Sequence, residues 1–82
     1  MNYDNILTIA LKNRLPSSDI ESISEYLEHN EWGIAFEVLC SAIDNDKINI
    51  TLGDFEEIKL IGKSMKMDEG LWINIMSLTS EK

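Results

Sequence analysis

The 82-residue chain carries fifteen Asp and Glu against seven Lys and Arg, a formal net charge of -8, with 44% hydrophobic and 27% charged residues. Such a length suits one domain over 1–82, the apolar share excludes a chain too polar to fold, and no apolar run approaches the roughly 20 residues that span a bilayer. The lone cysteine, Cys40, rules out an internal disulfide or a multi-cysteine zinc site, and Met1-Asn2-Tyr3-Asp4 lacks the basic start and apolar core of a signal peptide, so a cytoplasmic location is expected.

From Asp4 to Arg14, Ile6, Leu7, Ala10 and Leu11 recur at helical spacing, with Ile9 widening the stripe, and Leu15-Pro16 closes the segment because the residue before proline is driven out of the α region. A second helix starts at Ser17 or Ser18. There Ser18-Asp19-Ile20-Glu21 matches a capping box, and Ile20, Ile23 and Leu27 form the inward stripe with Tyr26 at its edge. His29-Asn30-Glu31-Trp32-Gly33 is either a tight turn or the opening of a third helix. That helix is the most apolar: Ile34, Ala35, Val38, Leu39, Ala42 and Ile43 keep the period, and Phe36 and Cys40 broaden it.

Asn45-Asp46-Lys47 reads as a turn, followed by an extended link in which Ile48 and Ile50 plug the core. Thr51 then caps a fourth helix, with Asp54 in the capping-box position and Leu52, Phe55, Ile58 and Met65 on the buried side. Gly62 inside that helix costs about 1 kcal/mol relative to alanine, which points to a close helix contact. Asp68 caps a last helix whose Leu71, Trp72, Ile75 and Leu78 face inward. No strand pattern of useful length appears, so the expected fold is all-α, a compact bundle of about five short helices.

Charge is unevenly distributed. Asp19, Glu21, Glu25, Glu28, Glu31, Glu37, Asp44, Asp46, Asp54, Glu56 and Glu57 share the Asp19–Glu57 stretch with a single base, Lys47. Such a surface repels nucleic acid and anionic lipid, whose binding needs Lys and Arg, and attracts a basic partner.

Nothing arranges catalysis. His29 is the only histidine and sits at a helix C-terminus, where an imidazolium is stabilised by the helix dipole, and Cys40 occupies an apolar helix where thiols behave as small hydrophobes. Asp44-Asn45-Asp46 opens like a calcium loop, yet Asn49 and Phe55 stand where that loop needs glycine and glutamate. Gly33, Gly53, Gly62 and Gly70 make no phosphate-binding spacing. No enzyme activity, cofactor or metal is therefore expected.

Glu21, Glu25 and Glu28 share one face of the second helix, where like charges repel. A charge run alone is most simply a solubilising face, but one sign maintained across three helices steers an oppositely charged partner. Aromatic residues beside it, Tyr26, Trp32 and Phe36, offer an anchor of the kind that dominates binding energy, although such residues more often belong to the core. The contact residues expected on these grounds are Glu21, Glu25, Glu28, Glu31, Trp32, Glu37 and Asp44.

Between Leu15 and Trp72 the sequence resembles the MafI-type immunity proteins of bacterial polymorphic and contact-dependent toxin systems. The likeness rests on Leu15-Pro16, Ile20, Ile23, Tyr26-Leu27, His29, Glu31, Gly33, Ala35, Glu37 and Leu39, then on Ile48, Leu52, Ile58, Ile61-Gly62, Met65, Met67-Asp68 and Leu71-Trp72. It implies a small helical cytoplasmic protein that neutralises a cognate toxin C-terminal domain, often a nuclease with a basic site, in a 1:1 complex and without catalysis. Two other readings compete: an acidic adaptor that binds a basic protein unrelated to toxins, and a small hydrolase using His29. A homodimer is compatible with a bundle of this size.

Overall fold

The computed structural model describes residues 3–80; Met1, Asn2, Glu81 and Lys82, the ends of the expected 1–82 domain, lie outside the described residues. The fold is a small all-α bundle of five helices: α1 (Asn5–Lys12), α2 (Ser17–Glu28), α3 (Trp32–Asn45), α4 (Leu52–Ser64) and α5 (Gly70–Ile73), followed by a single 3₁₀ turn, Met76–Leu78. Helix α3 is the central element. Its Ala35, Phe36, Leu39, Cys40, Ala42 and Ile43 are all buried, against Ile6, Ile9 and Ala10 of α1, Ile23 of α2, and Phe55, Ile58 and Ile61 of α4.

Four helices stop in the same way. After α1 to α4 the chain enters the left-handed region at Arg14, Asn30, Lys47 and Lys66, with φ between 51 and 58°. The next amide then bonds back to the carbonyl of the helix's third-last residue: Leu15 to Ala10, Glu31 to Tyr26, Ile48 to Ile43, and Met67 to Gly62. These are Schellman closures, usually built on glycine. None of the four uses one, which is why the first helix, read as far as Arg14, ends at Lys12.

Several expectations about local structure are corrected. The capping box at Ser18 does not form: α2 begins at Ser17 with Pro16 as its N-cap and no side chain caps it, while the Pro16 carbonyl accepts from the Asp19 and Ile20 amides at 3.0 and 3.1 Å. The Thr51 cap does form, its Oγ1 accepting from the Asp54 amide at 3.1 Å, but the Asp54 carboxylate reaches α1 instead of returning to Thr51. Leu11, Ile34 and Leu52, placed on the buried sides of their helices, are 55, 43 and 46% exposed. Each stands outside the part of its apolar stripe that packs into the core. The last helix is broken, since four α residues are followed by a separate 3₁₀ turn, yet Trp72 and Ile75 still reach the core.

One feature was not expected at all. Ile50-Thr51 and Thr79-Ser80 pair in parallel, Ile50 opposite Thr79 and Thr51 opposite Ser80, as β1 and β2. Two residues are too few to give an alternating pattern, so only the tertiary return of the chain creates this ladder.

Candidate functional site

Helices α2 and α3 form a hairpin joined by Asn30 in the left-handed conformation. The hairpin brings the first turn of α2 beside the last turns of α3. A groove of about 450 Å³ results, with Asp19 of α2 on one wall and Ile34, Glu37, Val38, Ala42 and Asp46 of α3 and its C-cap on the other. Its floor is apolar and its charged groups are all carboxylates. Val38 and Ala42 sit low in it, while Ile34 is open to solvent.

The expected contact residues do not converge on one spot. Glu21, Glu25 and Glu28 are exposed along the outer stripe of α2, and at about 100° per residue this stripe points away from the buried Ile23. Glu31 is exposed immediately before α3. Trp32 is 39% exposed and its ring tilts against Tyr3 at a centroid distance of 5.1 Å, so it is half committed to its own fold. Asp44 is held by Lys47, Nζ to Oδ1 3.6 Å. Of the seven residues, Glu37 alone lines the groove. Tyr26 is half-buried against the core, whereas Phe36 is wholly inside it and is not offered to a partner.

Asp19 and Asp46 were missed as site residues because they lie twenty-seven positions apart and only the hairpin joins them. Ile34 was missed because its period assigned it to the core. The signal available in the sequence was the density of acids alone.

Electrostatics sharpen the picture. A helix C-terminus is partly negative and is stabilised by cations. α1 and α4 follow that rule with Lys12 and Lys63, whereas the last turns of α2 and α3 contain no base. Instead they hold Glu25 and Glu28, then Asp44 with Asp46 at the cap. Lys47 follows α3 and is taken up by Asp44. Among the described residues the ion pairs are this one and Lys12–Asp54, so no cation answers Glu21, Glu25, Glu28, Glu31, Glu37, Asp19 or Asp46.

No family model, curated protein or solved structure matches this chain. The site is therefore read from its own chemistry. No cluster of three or more His, Cys, Asp and Glu suited to a metal ion occurs among the described residues. His29 is exposed at the end of α2, whereas Cys40 is buried in α3, its thiol pushed up to about 12 first by burial and then by the Glu37 charge, so at neutral pH it is not a thiolate nucleophile. Among the described residues no helix is long and apolar enough to cross a membrane.

Proposed function

We propose that this chain is an immunity protein, which binds the basic surface of a cognate toxin domain and occludes its active site or an adjacent exosite from the cytoplasm of the producing cell. The observation that carries this reading is the placement of carboxylates on the α2–α3 hairpin. Glu25, Glu28, Asp44 and Asp46 stand at the two helix C-termini, where they oppose the backbone dipole, and among the described residues Asp44 is the one carboxylate of the hairpin with an ion-pair partner. Groups so placed weaken the free protein slightly and strengthen a complex in which a partner's Lys and Arg arrive to neutralise both them and the helix ends.

The resemblance to MafI-type immunity proteins supports the same reading, and it names the class of basic partner: a toxin C-terminal domain bound one to one. On this reading the protein performs no catalysis, needs no cofactor, and works by charge and shape. The outer stripe of Glu21, Glu25 and Glu28 steers the encounter, because exposed charges act mainly on association rates.

Co-expression with the toxic domain encoded beside it tests the proposal. Restored growth together with a complex that co-purifies is the expected result. Continued toxicity with no complex overturns the immunity reading and leaves an acidic adaptor for an unrelated basic protein.

A further inference from the structure

A second groove, of about 290 Å³, runs between α4 and the segment formed by α5 and the 3₁₀ turn, and its character differs from that of the hairpin groove. Its inner surface is aromatic: Phe55 and Trp72 are buried, and Gly62 lets the Trp72 ring lie directly on α4. Its lip on the α5 side is Ile73 and Met76, 45 and 50% exposed and three residues apart, so both open to water on one edge. Single exposed apolar residues are ordinary on a protein surface, whereas neighbouring ones that continue a buried aromatic wall mark a contact site. The opposite lip belongs to α4 and carries Lys59 and Lys63, four residues apart, hence on one helix face and about 6 Å apart along the axis. Neither is in an ion pair among the described residues, although acids outnumber bases fifteen to seven in the chain. Glu69 is the one acid in the lining, on the α5 side.

We infer that this groove receives an amphipathic helix of a partner protein, whose apolar face covers Ile73 and Met76 and whose acidic edge meets Lys59 and Lys63. Helices dock in grooves between helices through an apolar stripe. The lengths agree: Phe55 to Lys63 is eight residues, about 12 Å of α4, which two turns of a partner helix match. Carboxylates four residues apart on that helix repeat the step of about 6 Å between the lysines. An extended segment would instead set its backbone N–H and C=O groups against helix side chains, with no strand edge in the lining to pair them. A second copy of this chain is the poorer occupant. Its acidic stripe, Glu21, Glu25 and Glu28, has Ile23 and Leu27 beside it packed into its own core, which leaves nothing to cover Ile73 and Met76. The formal charge of -8 repels an acidic helix at long range, but that field is screened beyond about 8 Å at physiological salt, whereas the lysines act in contact. The groove lies off the acidic hairpin and does not depend on the immunity reading.

The probe is an acetylated and amidated peptide, Ala-Glu-Leu-Ala-Ala-Glu-Leu-Ala-Glu-Leu-Ala, titrated at physiological salt into the full-length ¹⁵N-labelled protein. The expected result is saturable shifts at the amides of Lys59, Lys63, Ile73 and Met76 and at the Trp72 indole. The deciding comparison replaces the three glutamates of the peptide with glutamine. If the lysines read carboxylates, the glutamine peptide binds at least threefold more weakly. If the net charge of the chain governs instead, it binds as tightly or more tightly, and the proposal is overturned. Serine in place of the leucines is expected to weaken binding at least tenfold. K59Q/K63Q should abolish the preference for glutamate and I73S/M76S the preference for leucine, each variant being folded by its amide spectrum. Preferences that survive in these variants, shifts confined to α2 and α3, or a chain that self-associates through Ile73 and Met76 and excludes the peptide overturn the proposal. Growth rescue is a separate readout. A peptide that seats here while toxicity persists leaves the groove standing and immunity wrong; restored growth without seating does the reverse.

Discussion

Lys12 Nζ donates to the Asp54 carboxylate at 3.0 Å across 42 residues of sequence, and Asn13 Nδ2 donates to the other oxygen of the same carboxylate at 3.1 Å. The C-terminal turn of α1 is thereby tied to the N-terminal turn of α4. Asp54 is buried, with 7% of its side chain exposed, while Lys12 is 61% exposed, so the two ends of the bridge are not equivalent. Replacing Lys12 with alanine leaves a carboxylate still held by Asn13 and costs about 0–1 kcal/mol, as for solvent-screened pairs. Removing the carboxylate in D54A unties both donors and costs about 1–3 kcal/mol. Urea unfolding of the two variants checks the order; equal losses would show that the ion pair, rather than the two-donor carboxylate, holds α1 on α4.

Gly62 lies under the Trp72 ring. A Cβ there would stand 2.6 Å from Trp72 Cε3 and 2.9 Å from Phe36 Cζ, and these two rings already meet edge to face at a centroid distance of 6.4 Å. Alanine gains about 1 kcal/mol of helix propensity over glycine. The overlap with two buried rings costs about 1–3 kcal/mol, so G62A is expected to be net destabilising and to shift the Trp72 fluorescence. In a double-mutant cycle, W72L should recover part of the loss; strict additivity would place the strain elsewhere.

Cys40 gives a pH signature. Its thiol is pushed from the ordinary 9.0 up to about 12 by burial, with a smaller push from Glu37. The folded state therefore keeps the proton that the unfolded state releases. Stability from this group is fully present below pH 9 and falls as pH rises from there toward about 12. Denaturant midpoints measured between pH 8 and 11 should decline for the native sequence more steeply than for C40A. Thiol reagent at pH 8 should label Cys40 at the rate of unfolding, and prompt labelling of the folded protein would contradict its burial.

Lys66 takes φ 57° at the end of α4, a conformation that costs most L-residues about 1–2 kcal/mol and glycine almost nothing. K66G should raise stability by roughly 0.5–1 kcal/mol, because the Met67 amide still closes on the Gly62 carbonyl at 2.9 Å. Thermal or urea unfolding decides it. A loss of stability would mean that the lysine charge at the helix end outweighs the backbone strain.

Charge reversal of Glu21, Glu25 and Glu28 to lysine touches only exposed positions on the outer side of α2 and should leave the fold intact. Association with the cognate toxin domain should slow about 10-fold or more at low salt, and its salt dependence should flatten. Stopped-flow mixing at two ionic strengths measures both. Unchanged rates would move the steering surface off α2.

The sequence by itself determined the number and order of the helices, the central place of α3, the Thr51 cap and the tight contact at Gly62. Each of these is a local property: a period, a capping residue, or a glycine where helix propensity alone would prefer alanine. Tertiary structure decided the rest. The first helix ran long in the sequence, to Arg14 instead of Lys12, because Arg14 performs a turn that glycine normally announces. The tie from Lys12 to Asp54, the pairing of Ile50 with Thr79, and the lining of one groove by Asp19 and Asp46 all bring together residues far apart in the chain. Likewise, the density of acids was visible from composition, but the groove with Ile34 left open on its rim was not, because whether a residue at the border of an apolar stripe is covered depends on how far the neighbouring helix reaches.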